Sequence, residues 1–203
     1  MKRFAIKKHH PESGMSLLEL MFAGFVLTVG MLGALVMITT AIQSNSRNKY
    51  DSTGTMVAQL VLEHQTTMPT NQTDVAGALV TSIPVTDCET PTHSPKTWSV
   101  AVGGADVASG GAGAKIDLSS FGTNPNYGNI DWTQDAASVP AGYIMYYYSC
   151  GDVTWEARWN IQQVSNLAKL ITVSARHSGT ETAKVKSGMI FAPPVTLRTI
   201  NGP

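Results

Sequence analysis

The sequence predicts an α+β protein, a long amino-terminal helix packed on a small antiparallel β-sheet head. Three observations predict it. From position 20 to position 46 no charged residue occurs, so that stretch is apolar or neutral all round. Beyond it, Val57, Leu60, Val61, His64 and Met68 recur at spacings of three and four, the stripe of a one-sided helix. The closing third holds aromatic and β-branched runs separated by turn residues, which read as strands.

Composition bounds the rest. The 203 residues carry 14 basic and 14 acidic side chains, so the formal charge is zero and no bulk electrostatic case for nucleic acid exists. Charged residues make up 14%, and the 22 Thr and 17 Ser supply polarity in their place, a composition that suits half-exposed strands and loops. The length allows one domain and a small second element.

The chain starts basic. Residues 1–14 hold Lys2, Arg3, Lys7 and Lys8 against Glu12, a formal +3 that leaves −3 for the remainder. The apolar stretch of residues 20–38 would rise about 28 Å as a helix, close to the hydrocarbon thickness of a bilayer. Basic charge on its amino side predicts that end in the cytoplasm and all that follows outside it. Three readings compete. A secretory signal has an apolar core of about 7 to 15 residues, shorter than this one, although Thr39-Thr40-Ala41 could be read as a cleavage site. A plain signal anchor explains the length but not Glu19, a carboxylate that is costly inside an apolar segment unless paired. The third is a leader junction that accounts for both.

The run Gly14-Met15-Ser16-Leu17-Leu18-Glu19 resembles the class III leader junction of type IV prepilins, a short basic leader ending in Gly with Glu at the fifth position after it. The helix that follows is similar to those of the PilV-like minor pilins, which share the pattern here written Val29-Gly30-Met31-Leu32-Gly33. The far end resembles them in Trp159-Asn160-Ile161, in residues 169–175 and in Val195-Thr196-Leu197-Arg198-Thr199-Ile200, while the middle carries almost no likeness. Met15 departs from the usual Phe.

The resemblance implies a processed minor pilin. An inner-membrane prepilin peptidase would cut after Gly14 and methylate the new amino terminus at Met15. Residues 1–14 are then a leader, residues 15–68 one helix (17–40 transmembrane and filament core, 41–68 amphipathic) and residues 69–203 the head. Glu19 would set subunit register by pairing with the Met15 amino group of a neighbour. The implied partners are other major and minor pilins, the peptidase, the inner-membrane pilus assembly platform and the lipid bilayer, with no nucleic acid expected. The chain would initiate or join a pilus that serves twitching motility. A pseudopilin of a type II secretion system would share leader and helix. A tip adhesin or DNA-uptake subunit would instead make contact through residues 69–140.

Pro69 stops the helical stripe, and His64 on that stripe reads as a packing histidine rather than a metal ligand. Residues 69–140, punctuated by six prolines from Pro69 to Pro140 and by Gly-rich runs, read as an irregular loop region with short strands. Its tract Gly110-Gly111-Ala112-Gly113-Ala114-Lys115 lacks the Gly-Lys-Ser/Thr ending of a phosphate loop and reads as a flexible connector. Residues 141–200 read as the antiparallel sheet, with strands at 143–148, 153–161 and 170–175, turns at Gly151-Asp152, Asn166 and Gly179, and a last strand at 189–192 and 195–200 interrupted by Pro193-Pro194. The aromatic residues of these strands are expected to bury against the helix.

Catalysis finds little support. His64, His93 and His177 lack any H-E-x-x-H, G-x-S-x-G or paired-cysteine setting, and Asp152 and Glu156, four apart on a predicted strand and hence on one face, read as solvated surface. No enzyme, cofactor or metal is expected. Cys88 and Cys150 are the only cysteines, both lie beyond the apolar segment, and an oxidising compartment predicts one intramolecular disulfide between them.

The leader reading makes a measurable claim. Intact mass of the membrane-extracted protein should give a chain beginning at Met15. A mature form beginning near Ile42, or one that keeps residues 1–14 in cells with active peptidase, would overturn it.

Overall fold

The computed structural model describes residues 16–68, 81–119, 121–150, 153–178 and 193–202. The leader, Gly14 and Met15 lie outside them, as do Pro69, the Gly151-Asp152 turn, Gly179 and the strand expected at 189–192. The chain divides into two compact units, Met1–Asn45 and Ser46–Pro203.

One helix, α1 (Leu17–Thr66), runs through the end of the first unit and the beginning of the second. In the first unit its large apolar side chains are all more than half exposed, from 53% at Val29 to 78% at Leu17. The polar hydroxyls among them are internally satisfied: Thr28 donates to the Phe25 carbonyl (2.8 Å) and Thr39 and Thr40 to that of Val36 (2.9 and 2.5 Å). Such back-bonding lets a threonine sit in an apolar medium without an orphaned donor.

In the second unit α1 buries Gly54, Val57, Ala58, Val61 and Gln65, again at spacings of three and four. The expected stripe is therefore present, but its centre falls on Gly54, Ala58 and Gln65, while Leu60, His64 and Met68 lie at its half-buried margins. Among the described residues seven strands follow up to residue 177: β1 (Ser82–Thr86), β2 (Thr97–Ala101), β3 (Ala105–Asp106), β4 (Ala112–Gly113), β5 (Ile144–Ser149), β6 (Val153–Ser165) and β7 (Ala168–His177). An eighth, β8 (Val195–Asn201), closes it. β1 and β2 form a two-stranded antiparallel sheet, and the other six form one sheet centred on β6.

The long β6 has a different neighbour on each length of one edge. β5 takes residues 153–158, β4 takes Asn160 and Ile161, and β3 takes Gln162 and Gln163. β7 lies antiparallel on the other edge, and β8 beside β7 is the last strand of that path. The Asn166-Leu167 turn joins β6 to β7 where the sequence placed it.

The sheet is mixed, which corrects the expectation of an antiparallel one. β3 runs parallel to β6. The chain then reverses through a 3₁₀ turn, Val107–Ser109, and the left-handed Gly110 (φ 84°) and Gly111 (φ 80°), so that β4 returns antiparallel. The glycine tract is thus a built contact and not a flexible connector. At Gly113 (φ 114°) a Cβ would collide with the Trp159 carbonyl oxygen, so only glycine lets β4 approach β6 here.

Alternation along β6 sorts its two faces. Trp155, Ala157, Trp159 and Ile161 join Ile171, Val173, Ala175 and Met145 against Val57, Ala58 and Val61 of α1, and Ile83, Val85 and Val100 of the small sheet complete that core. Gly54 gives the close approach: a Cβ there would lie 3.0 Å from the Trp155 ring. Half of the aromatic expectation holds. Trp155 and Trp159 are buried against the helix, whereas Tyr146 is paired opposite Glu156 on the other face and contacts Trp98, and Tyr148 stacks on His93 at 3.9 Å.

The end of α1 is capped from the sheet. Asn201 of β8 donates its amide to the carbonyls of Gln65, Thr66 and Met68 (3.3, 3.4 and 3.1 Å), and the buried Lys169 ammonium donates to Met68 (3.4 Å). Both supply donors that a helix carboxyl end lacks, and the cation faces the negative end of the dipole. Burial pulls the Lys169 pKa down.

Substituting Gly113→Ala should therefore lower unfolding stability by about 1 to 3 kcal/mol, through backbone strain and displacement of β4. Gly30→Ala, where a Cβ meets nothing, is the matched control and should leave head stability unchanged. Denaturant midpoints of the two variants, measured on detergent-solubilised full chain, check this, and equal midpoints would contradict it.

Candidate functional site

The exposed surface of α1 starts at a capped end. Ser16 accepts a hydrogen bond on Oγ from the Leu18 N–H (3.3 Å) and on its carbonyl from the Leu20 N–H (3.1 Å), the pattern of an N-cap. Glu19 is the third residue of the helix, inside its first turn. That placement changes the electrostatic argument about it. A carboxylate in the first turn faces the positive end of the helix dipole, worth roughly 0.3 to 1 kcal/mol, and Ser16 with Glu19 has the spacing of a capping box. Those tenths offset only part of the roughly 2.5 to 3.5 kcal/mol that an acidic residue costs in a bilayer centre. Leu18, Met21, Phe22 and Phe25 line a shallow apolar hollow on the same stretch. One helix is long and apolar enough to cross a membrane, with a mean hydropathy of 2.3 over its best window.

The two cysteines are joined. Cys88 and Cys150 form a disulfide with Cα atoms 5.4 Å apart, tying the segment after β1 to the end of β5. The bond does not act alone, because the Cys88 N–H donates to the Tyr148 carbonyl (3.2 Å) and His93, stacked on Tyr148, contacts the buried Asp87 carboxylate at 3.3 Å. Asp87 in turn accepts the Lys96 N–H (2.6 Å), which closes the loop between β1 and β2 on itself.

The polar face of β6 is not solvated. Glu156, only 5% exposed, accepts from Arg158 (Nε, 2.7 Å) and from Arg176 (Nη2, 3.0 Å), which corrects its reading as surface. Asp152 lies outside the described residues. Arg158 also donates to the Gln134 carbonyl (2.6 Å), and both guanidinium groups lie over the Trp132 ring, at 4.6 and 4.2 Å. Trp132 donates its indole N–H to Ser174 (3.0 Å), and Asn160 donates to the carbonyls of Gly110 and Ala114 (3.1 and 2.8 Å). Residues 110–134 are thus fastened over this face. A carboxylate held between two guanidinium groups has its lone pairs engaged in charge-assisted hydrogen bonds, so the arrangement is a clasp.

His64 and His177 are packing groups. His64 is half-buried with Nδ1 2.7 Å from the Leu60 carbonyl, and His177 meets Tyr50 and Trp155 edge-on. Burial holds the His177 pKa below its usual value. Among the described residues no group of three or more His, Cys, Asp or Glu side chains could hold a metal ion. A loop at residues 117–129 is closed by polar contacts: hydrogen bonds from the Ser119 side chain and N–H and from Asn124 lower the Asp117 pKa, and Arg198 donates to Asn129.

Sequence reasoning missed Gln65, whose amide donates to the Ala101 carbonyl (2.7 Å) inside the core, and the Glu156–Arg158–Arg176 clasp. The clasp left one faint signal, charged residues at alternate positions within an otherwise apolar strand. No family model, curated protein or solved structure matches the chain. Its structure is that of an α+β protein, one long amino-terminal helix with a mixed sheet and a disulfide within the head, and among the described residues one apolar segment is of membrane length.

Two measurements follow from this geometry. Closing a loop with a sequence separation of 62 should stabilise the head by roughly 4 kcal/mol on the chain-entropy scale. The Cys88→Ser, Cys150→Ser double variant should lose a substantial part of that in chemical denaturation, and an unchanged midpoint would refute a structural role for the bond. The pH dependence has a definite sign. His177 has a lowered pKa when folded, so its contribution is present above the unfolded histidine value near 6.5 and is lost as pH falls below it. Replacing it, as His177→Gln, should flatten the fall in stability between pH 7 and pH 5, and a slope as steep as before would contradict the assignment.

Proposed function

We propose that this chain is a minor subunit of a type IV pilus, processed after Gly14 and assembled through the apolar part of α1. The observation that carries the reading is the unburied helix. Every large apolar side chain between residues 17 and 42 is more than half exposed. Ten such side chains in water would cost roughly 15 to 30 kcal/mol, more than the stability of about 5 to 15 kcal/mol that a whole domain holds. That surface therefore belongs in an apolar surrounding, and a bilayer before assembly and neighbouring helices afterwards both provide one. The junction residues Gly14 to Glu19 favour a pilin over a plain anchor.

In this reading the subunit sits in the inner membrane with its amino end cytoplasmic and its head outside. Prepilin peptidase removes residues 1–14, and extraction into the filament exchanges lipid contacts for contacts with other pilins. Glu19 serves register. It stays near the helix amino end and pairs with the cationic amino group at Met15 of an adjacent subunit once water is excluded. The head supplies a compact, oxidised unit beyond the membrane.

Glu19→Ala and Glu19→Gln separate this role from helix capping. Both remove the charge, so both should leave the chain cleaved and at normal membrane level while reducing its amount in sheared filaments several-fold. Ser16→Ala removes the cap alone and should leave incorporation near normal. Full incorporation of both Glu19 variants would sink the pairing, and equal loss in all three would assign Glu19 to helix capping.

A further inference from the structure

We draw no further inference here: the strongest candidate, the apolar groove of about 260 Å³ between residues 49–56 of α1 and the facing ends of β5 and β6, lined by Tyr50, Cys150, Val153 and Trp155, carries nothing because no feature of the structure shows what covers it.

Discussion

The head depends on β6 being buried on both faces. Residues 155–162 are buried without a break although they alternate apolar with polar: Trp, Glu, Ala, Arg, Trp, Asn, Ile, Gln. One face is closed by α1 and the small sheet, the other by residues 110–134. The two closures follow different physics. The helix side is held by apolar area, roughly 1.5 to 3 kcal/mol for each fully buried large side chain. The opposite side is held by geometry, because a charged or amide group drawn out of water is costly without a partner: Glu156 is paired with Arg158 and Arg176, Arg158 also reaches the Gln134 carbonyl, and the Asn160 amide nitrogen reaches those of Gly110 and Ala114 while its Oδ1 stays unpartnered. Removing one partner there would leave a buried charge unpaired, a larger loss than the pair itself contributes.

That division explains what could be read from the sequence. The helix declared itself through twenty-seven uncharged positions, 20–46, and a stripe at three- and four-residue spacing, because both are local patterns. The strands at 144–149, 153–165, 168–177 and 195–201 followed from β-branched and aromatic runs, and the disulfide from there being two cysteines to pair. The covering segment did not. Apart from Trp132, its attachments are the carbonyls of Gly110, Ala114 and Gln134, which every residue possesses and no residue type announces. Alternation in β6 suggested one solvated face for the same reason: the pattern records which way side chains point, and one of the two partners of Glu156 lies twenty positions away at Arg176. Gly111 and Gly113 looked like flexibility because the residue that permits a loop also permits two backbones to touch. The leader and the junction at Gly14 and Met15 lie outside the described residues, so the account of processing rests on sequence resemblance alone.

The first part of α1 obeys the same rule of satisfied groups in another medium. Its threonine hydroxyls are bonded back to the helix, its amino end is capped by Ser16, and Glu19 is the lone acidic residue between residues 16 and 50. A segment whose threonine hydroxyls are bonded back to its own carbonyls and whose large apolar side chains are all exposed suits an apolar surrounding better than water. As the filament subunit we propose, the chain would exchange one such surrounding for another. The cost of the exchange is small because lipid and neighbouring helices offer similar contacts, which leaves the single carboxylate as the group that distinguishes them.

Photo-cross-linking from the apolar helix tests this exchange most directly. A photoreactive residue at Phe22 or Phe25 of the full chain should give mainly lipid adducts in cells that hold the subunit in the membrane. Adducts with other helices of the filament should replace them once fibres are assembled. Lipid adducts alone, in cells carrying fibres and with the chain at normal level, would contradict an assembly role and leave only an anchor.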